Sequence, residues 1–140
     1  MRYLIAILAL AGAVVSTMAL RVHYSTETAP CSINEKWDCG IVNHSPYSEV
    51  EGIPVAALGI AGYLALAVLA FMRQRTLVFI CSLMGLGFAL YLAHIERDIL
   101  MVWCLYCVIS LGIIALIALI SLGWLAFRGM RSKYELSRTD

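Results

Sequence analysis

Charged side chains are scarce in this chain. Asp, Glu, Lys and Arg together make up 14% of its 140 residues, against about 25% in an ordinary soluble domain. Four stretches, residues 3–20, 52–72, 76–95 and 99–127, contain none at all. With 62% apolar side chains and a mean hydropathy of +0.88, the composition excludes a typical water-soluble fold and points to the bilayer. The net charge is only +1, and no basic run interleaved with aromatics occurs. Nucleic-acid binding is therefore not expected. Heptads, tandem repeats and low-complexity segments are absent as well.

The four charge-free stretches predict four spans, at about 3–22, 52–72, 76–95 and 99–127. A spanning helix needs roughly 20 apolar residues, since each residue rises about 1.5 Å through about 30 Å of hydrocarbon. Arg21 can snorkel at the end of the first span. The fourth is longer than a bilayer requires and is expected to tilt or project. The expected fold is all-α and integral to the membrane. It is a four-transmembrane-helix bundle in one domain, 1–140, with a long extracytoplasmic loop at about 23–51 between helices 1 and 2. A cleaved leader is the competing reading of the first span. It is disfavoured because the apolar run is long and no A-x-A site closes it.

Lys and Arg near span ends set orientation. With four spans, Arg2, Arg73, Arg75, Arg128, Arg131 and Lys133 share one face, so both termini are expected in the cytoplasm. The long loop, with Glu27, Glu35, Asp38, Glu49 and Glu51 against Lys36, is expected in the periplasm or a lumen. So is the short turn Glu96-Arg97-Asp98.

That orientation brings four of the five cysteines to the oxidising side, where disulfides persist. Cys31 and Cys39 lie in the loop, and Cys104 and Cys107 near the start of the fourth span. Cys81, within the third span, reads as a small buried hydrophobe. Thiols at positions 104 and 107 share one helix face. A helix N-terminus there favours the reactive thiolate. Six residues from Asp98, counted as helix, put the pair about 9 Å below the interface, within reach of a lipid-soluble ring. Trp103 is a plausible interfacial anchor.

Cys31 and Cys39 bracket a polar segment with Asn34, Glu35, Lys36 and Asp38, so a soluble thiol is expected to reach their disulfide. Two exchangeable pairs on one side of a membrane suggest a relay through mixed disulfides. The loop pair read alone could equally be a structural staple. A tetrahedral four-thiolate metal site is not expected, because the 31–39 spacing is too long for the usual knuckle.

Taken together, these features resemble the vitamin K epoxide reductase family, in particular its bacterial-type members without a fused thioredoxin-like domain. The resemblance rests on several landmarks in order. They are Cys31 and Cys39 at the loop-pair interval, Ser45 after them, residues 52–63 (Gly-Ile-Pro-Val-Ala-Ala-Leu-Gly-Ile-Ala-Gly-Tyr) leading into the second span, and Cys104-Leu105-Tyr106-Cys107 at the fourth. It implies a four-helix bundle around a quinone of the ubiquinone, menaquinone or vitamin K type, capped by the cysteine loop.

By that resemblance Cys107 faces the quinone and Cys104 exchanges with a loop cysteine. Cys39 is the expected exchange partner, leaving Cys31 to meet the thiol of a thioredoxin-fold protein acting in trans. The catalytic set is then Cys31, Cys39, Cys104 and Cys107. Ser45, Tyr91 and Tyr106 join Cys107 as quinone-binding candidates, and His94 is a further hydrogen-bonding candidate. For Ser45 the competing reading is a Ser-Pro turn, and for the tyrosines and His94 it is packing. The sequence departs from vertebrate members, which carry a quinone-binding Asn near the start of the second span and a Tyr four residues after the second active-site cysteine. Val55 and its neighbours and Leu111 occupy those places here. Quinone reduction that supports disulfide formation is therefore the expectation, not epoxide reduction. Two rival functions are a non-catalytic four-span protein with structural disulfides and a DsbB-type quinone-linked oxidoreductase. In the latter the Cys-x-x-Cys precedes the other pair, the reverse of the order here.

Overall fold

The computed structural model describes residues 1–26 and 31–139. Glu27, assigned above to the acidic loop, lies outside the described residues. Four long helices dominate: α1 Arg2–Tyr24, α3 Val55–Phe71, α4 Arg75–Ile95 and α5 Leu105–Thr139, with a short α2 at Cys39–Asn43. By length and composition, Arg2–Tyr24, Arg75–Leu100 and Leu105–Thr139 can each cross a membrane. The fourth apolar helix, α3, has 17 residues and so rises about 26 Å.

Helix α3 is shorter than the charge-free run 52–72 because the front of that run is a hairpin. Strands β1 Glu49–Val50 and β2 Ile53–Pro54 pair antiparallel, Val50 opposite Ile53. Glu51 and Gly52 turn between them with φ of 52° and 80°. Two positive-φ residues in a two-residue loop are the requirement of a type I′ turn, which glycine meets at no steric cost. At its other end α3 stops in a Schellman arrangement. The Gln74 N–H donates to Leu69 O and the Arg73 N–H to Ala70 O, with Arg73 itself left-handed at φ 60°. This tight reversal returns the chain into α4.

Helix α1 packs chiefly on α3 and α5, and α4 on α5. The α1–α3 contact is close because small residues face it. A Cβ on Gly12 would overlap the Tyr63 ring, and one on Gly59 would come within 2.8 Å of Ser16 Oγ. One core cluster fills mid-bundle, with Ile5, Ala9, Tyr63, Leu66, Val78 and Ile117. The outward faces carry Ile7, Val14, Val68, Met84 and Leu119, all strongly exposed. In water such a surface would be a large adhesive patch, whereas hydrocarbon solvates it.

The run 99–127 departs from expectation at both ends. Helix α4 continues into a π-helical turn at Glu96–Leu100, then stops at Met101 in the left-handed region. Residues 101–104 are therefore not helical, and the count of helical rise from Asp98 to Cys104 does not hold. Helix α5 begins only at Leu105 and runs on to Thr139, carrying Arg128, Arg131 and Lys133 on its extension.

Candidate redox site

A second core cluster lies under the loop, formed by Ala19, Val22, Cys31, Cys39, Val42, Val102, Cys104 and Tyr106, with Cys107 packed against it. The structure thus gathers four of the cysteines at one end of the bundle. Cys31 and Cys39 are joined as a disulfide, while Cys81, Cys104 and Cys107 are free. The position of the disulfide corrects one expectation. The residues between the two cysteines are largely exposed, but Cys31 is only 3% exposed and Cys39 fully buried. A polar segment says where its own side chains go, and nothing about its two ends. A soluble thiol can reach this bond only if the loop opens.

Two devices hold the loop in place. Asp38 caps α2, accepting from the N–H groups of Gly40 (2.8 Å) and Ile41 (3.2 Å) and from Ser32 Oγ (2.8 Å). The Ser32 hydroxyl, helped by the two backbone donors and opposed by desolvation, holds the Asp38 carboxyl below its usual range. Trp37 and Trp103 form a parallel β-bridge. Trp103 is therefore a main-chain link between loop and bundle, beyond the anchor role read from sequence.

Cys104 stands at the N-cap of α5, its carbonyl accepting from the Val108 N–H at 3.0 Å. Cys107 follows one turn in, with the two thiols close to one another. This is the helix-start geometry in which a Cys-x-x-Cys pair can close and reopen. Asn43 links the pairs: its Nδ2 donates to Cys39 O at 2.9 Å and lies 3.6 Å from Cys104 Sγ.

Behind Cys107 opens a predominantly apolar cavity of about 290 Å³ between the four long helices. That is near the lower end of the roughly 300–1,000 Å³ range of small-molecule sites. Cys107, Tyr106 and Ser45 line it, as do Asn43, Glu96, Tyr63 and Ser110. Cys104 is absent from the lining. Ser45 lines the cavity while its hydroxyl donates to Val42 O at 2.7 Å in the Ser-Pro turn. Tyr63 Oη donates to Ser110 O at 2.8 Å, tying α3 to α5 beside the cavity.

The structure does not bring Tyr91 or His94 to this site. Tyr91 is 57% exposed and packs on Phe88. His94 Nδ1 meets Asp98 Oδ2 at 2.7 Å on the surface. Glu49, from the acidic loop, pairs with His23 Nε2 at 3.1 Å and stays half exposed. Sequence reasoning missed Asn43 and Glu96 and met Tyr63 only inside a motif. Glu96, assigned to an outer turn, is 2% exposed, and its Oε2 accepts from the Cys104 N–H at 3.0 Å. One signal was available: a carboxylate that directly follows an apolar span, eight residues before a Cys-x-x-Cys.

The family model described as "Vitamin K epoxide reductase family" matches residues 3–122. No curated protein matches the chain. A match that takes in both cysteine pairs, the cavity and at least half of each long helix makes this chain a member of the vitamin K epoxide reductase family.

Proposed function

We propose that this membrane thiol oxidoreductase relays electrons from a thioredoxin-fold partner through Cys31/Cys39 to Cys104/Cys107 and on to a quinone, supporting disulfide formation. The observation that carries the reading is the division of the Cys-x-x-Cys pair. Cys107 lines the apolar cavity, while Cys104 is buried in the cluster that holds the loop disulfide. A relay needs one sulfur facing each way. A quinone head is a flat apolar ring with two carbonyl oxygens, and an apolar cavity with a few hydroxyls suits it. Ser45 and Tyr106 are the hydroxyls proposed to meet it, beside Cys107.

Each step moves two electrons. A partner dithiol reduces the Cys31–Cys39 bond, the loop dithiol reduces a Cys104–Cys107 bond, and the reduced pair converts quinone to quinol. Cys39 is the proposed loop exchanger, supported by the Asn43 link between Cys39 and Cys104. The reading includes four spans, with α3 as the short one, and both termini in the cytoplasm. The basic residues at the start of α1, in the α3–α4 turn and along the end of α5 support that sidedness. Burial of both loop sulfurs favours a second reading, in which Cys31–Cys39 only braces a non-catalytic protein.

One experiment separates them: single-turnover quinone reduction by the purified, prereduced protein. The relay predicts quinone loss with the wild type and none with Cys107→Ala. Inactivity of both, with quinone shown to bind, would leave the structural brace.

A further inference from the structure

Among the described residues Glu96 is the only carboxylate with its whole residue buried. Burying a carboxylate is costly unless a cation or several donors compensate it. No cation faces this one. Its neighbours Arg97 and His94 turn outward, with side chains 75% and 68% exposed, and engage Asp98. What Glu96 meets is the Cys104 N–H at 3.0 Å, at the start of α5, with the Cys107 thiol close by. Asn43, from α2, donates to Cys39 O and approaches the Cys104 sulfur. Capping α5 does not require an acid, since a neutral Ser or Asn serves equally well. Glu96 also lines the same cavity as Cys107, so the acid and a reacting sulfur border the one space proposed for the quinone.

We propose that Glu96 is a catalytic proton carrier, taking the proton from the Cys107 thiol and passing it to a quinone oxygen in the shared cavity. The inference rests on the quinone-reductase reading above. In the oxidative half-cycle the two S–H bonds of Cys104 and Cys107 break and one S–S bond forms. The two electrons released reduce the quinone, which gains two O–H bonds. Glu96 carries the Cys107 proton to one oxygen and returns to its starting state. The Cys104 proton is released to water on the loop side, and the second quinol proton comes from water.

The test compares wild type, Glu96→Gln and Glu96→Asp in single-turnover reduction of a soluble short-chain quinone across pH. Quinone binding by each variant checks that the site is folded. Gln keeps the oxygen that accepts from the Cys104 N–H but cannot ferry a proton. It also removes a negative charge beside Cys107, so a purely structural or electrostatic role predicts equal or faster quinone reduction. Proton transfer predicts the opposite sign, a fall of about 100-fold or more, with normal quinone binding and partial recovery in Asp. A Gln variant within about 3-fold of wild type, on the scale of general acid–base effects, overturns the role of Glu96 alone. A wild type that binds quinone but does not reduce it overturns the underlying reading and this role together.

Discussion

Trp103 is stitched into the loop beside Trp37 by two main-chain hydrogen bonds. Its N–H donates to Lys36 O at 2.7 Å, and its carbonyl accepts from the Asp38 N–H at 3.0 Å. The two indoles lie 6.4 Å apart. The next residues along each strand segment bring Cys39 and Cys104 into one buried cluster. The bridge therefore fixes which part of the loop faces the Cys-x-x-Cys pair.

The first prediction follows from that register. In a Cys107→Ala variant, where Cys104 lacks its partner, a Cys39–Cys104 mixed disulfide should accumulate, readable by peptide mapping. Adding Trp103→Pro deletes the N–H that bonds Lys36. Loss of one such bond, worth about 1 kcal/mol, should lower the adduct yield about 5-fold. A Cys31–Cys104 adduct would reverse the proposed roles of the two loop cysteines.

Asp38 gives the second prediction. Its carboxyl is held below the usual carboxylate range, first by Ser32 and then by the α2 backbone donors. A depressed carboxyl stabilises the loop fully above its unfolded pKa, and that contribution fades as pH falls through the folded value. Reduction of Cys31–Cys39 by a phosphine, which acts in acid, should therefore stay slow down to about pH 4 and accelerate below it. Asp38→Asn keeps an acceptor at the cap and should flatten this acid limb. Asp38→Ala removes the cap, worth about 1 kcal/mol, and should speed reduction about 5-fold even at neutral pH.

How much of this was readable beforehand depends on what set each feature. The apolar helices follow from runs without charge, a property of local composition, and the Cys-x-x-Cys at a helix start follows from spacing. The inward turn of Glu96 does not. It needs the π-helical turn at Glu96–Leu100, the left-handed Met101 and a loop strand waiting to receive Trp103, none of which is encoded within a few residues. The buried disulfide failed as a forecast for the same reason. Besides Val42 nearby, the cluster around it includes Val22 and Val102, distant in sequence. Tyr63 was visible as a landmark of the second span, but its partners Gly12 and Ser110 sit on two other helices.

The third prediction tests that three-helix junction. Gly12 leaves room on α1 for the Tyr63 ring, which a Cβ would overlap, and Tyr63 Oη then reaches Ser110 on α5 at 2.8 Å. Gly12→Ala should cost about 1–3 kcal/mol through overpacking, measured by unfolding in mixed micelles. Gly123→Ala, with nothing within 4 Å of the added carbon, should be neutral or stabilising by up to about 1 kcal/mol through helix propensity. The contrast isolates the clash from any general effect of glycine in a helix. Tyr63→Leu shortens the obstructing ring, so the Gly12→Ala/Tyr63→Leu double variant should lose less than the sum of its parts. Because Tyr63 also lines the cavity, the double variant should regain stability without regaining wild-type quinone affinity. Recovery of both would mean that Tyr63 packs α1 against α3 and contributes nothing to the cavity's ligand.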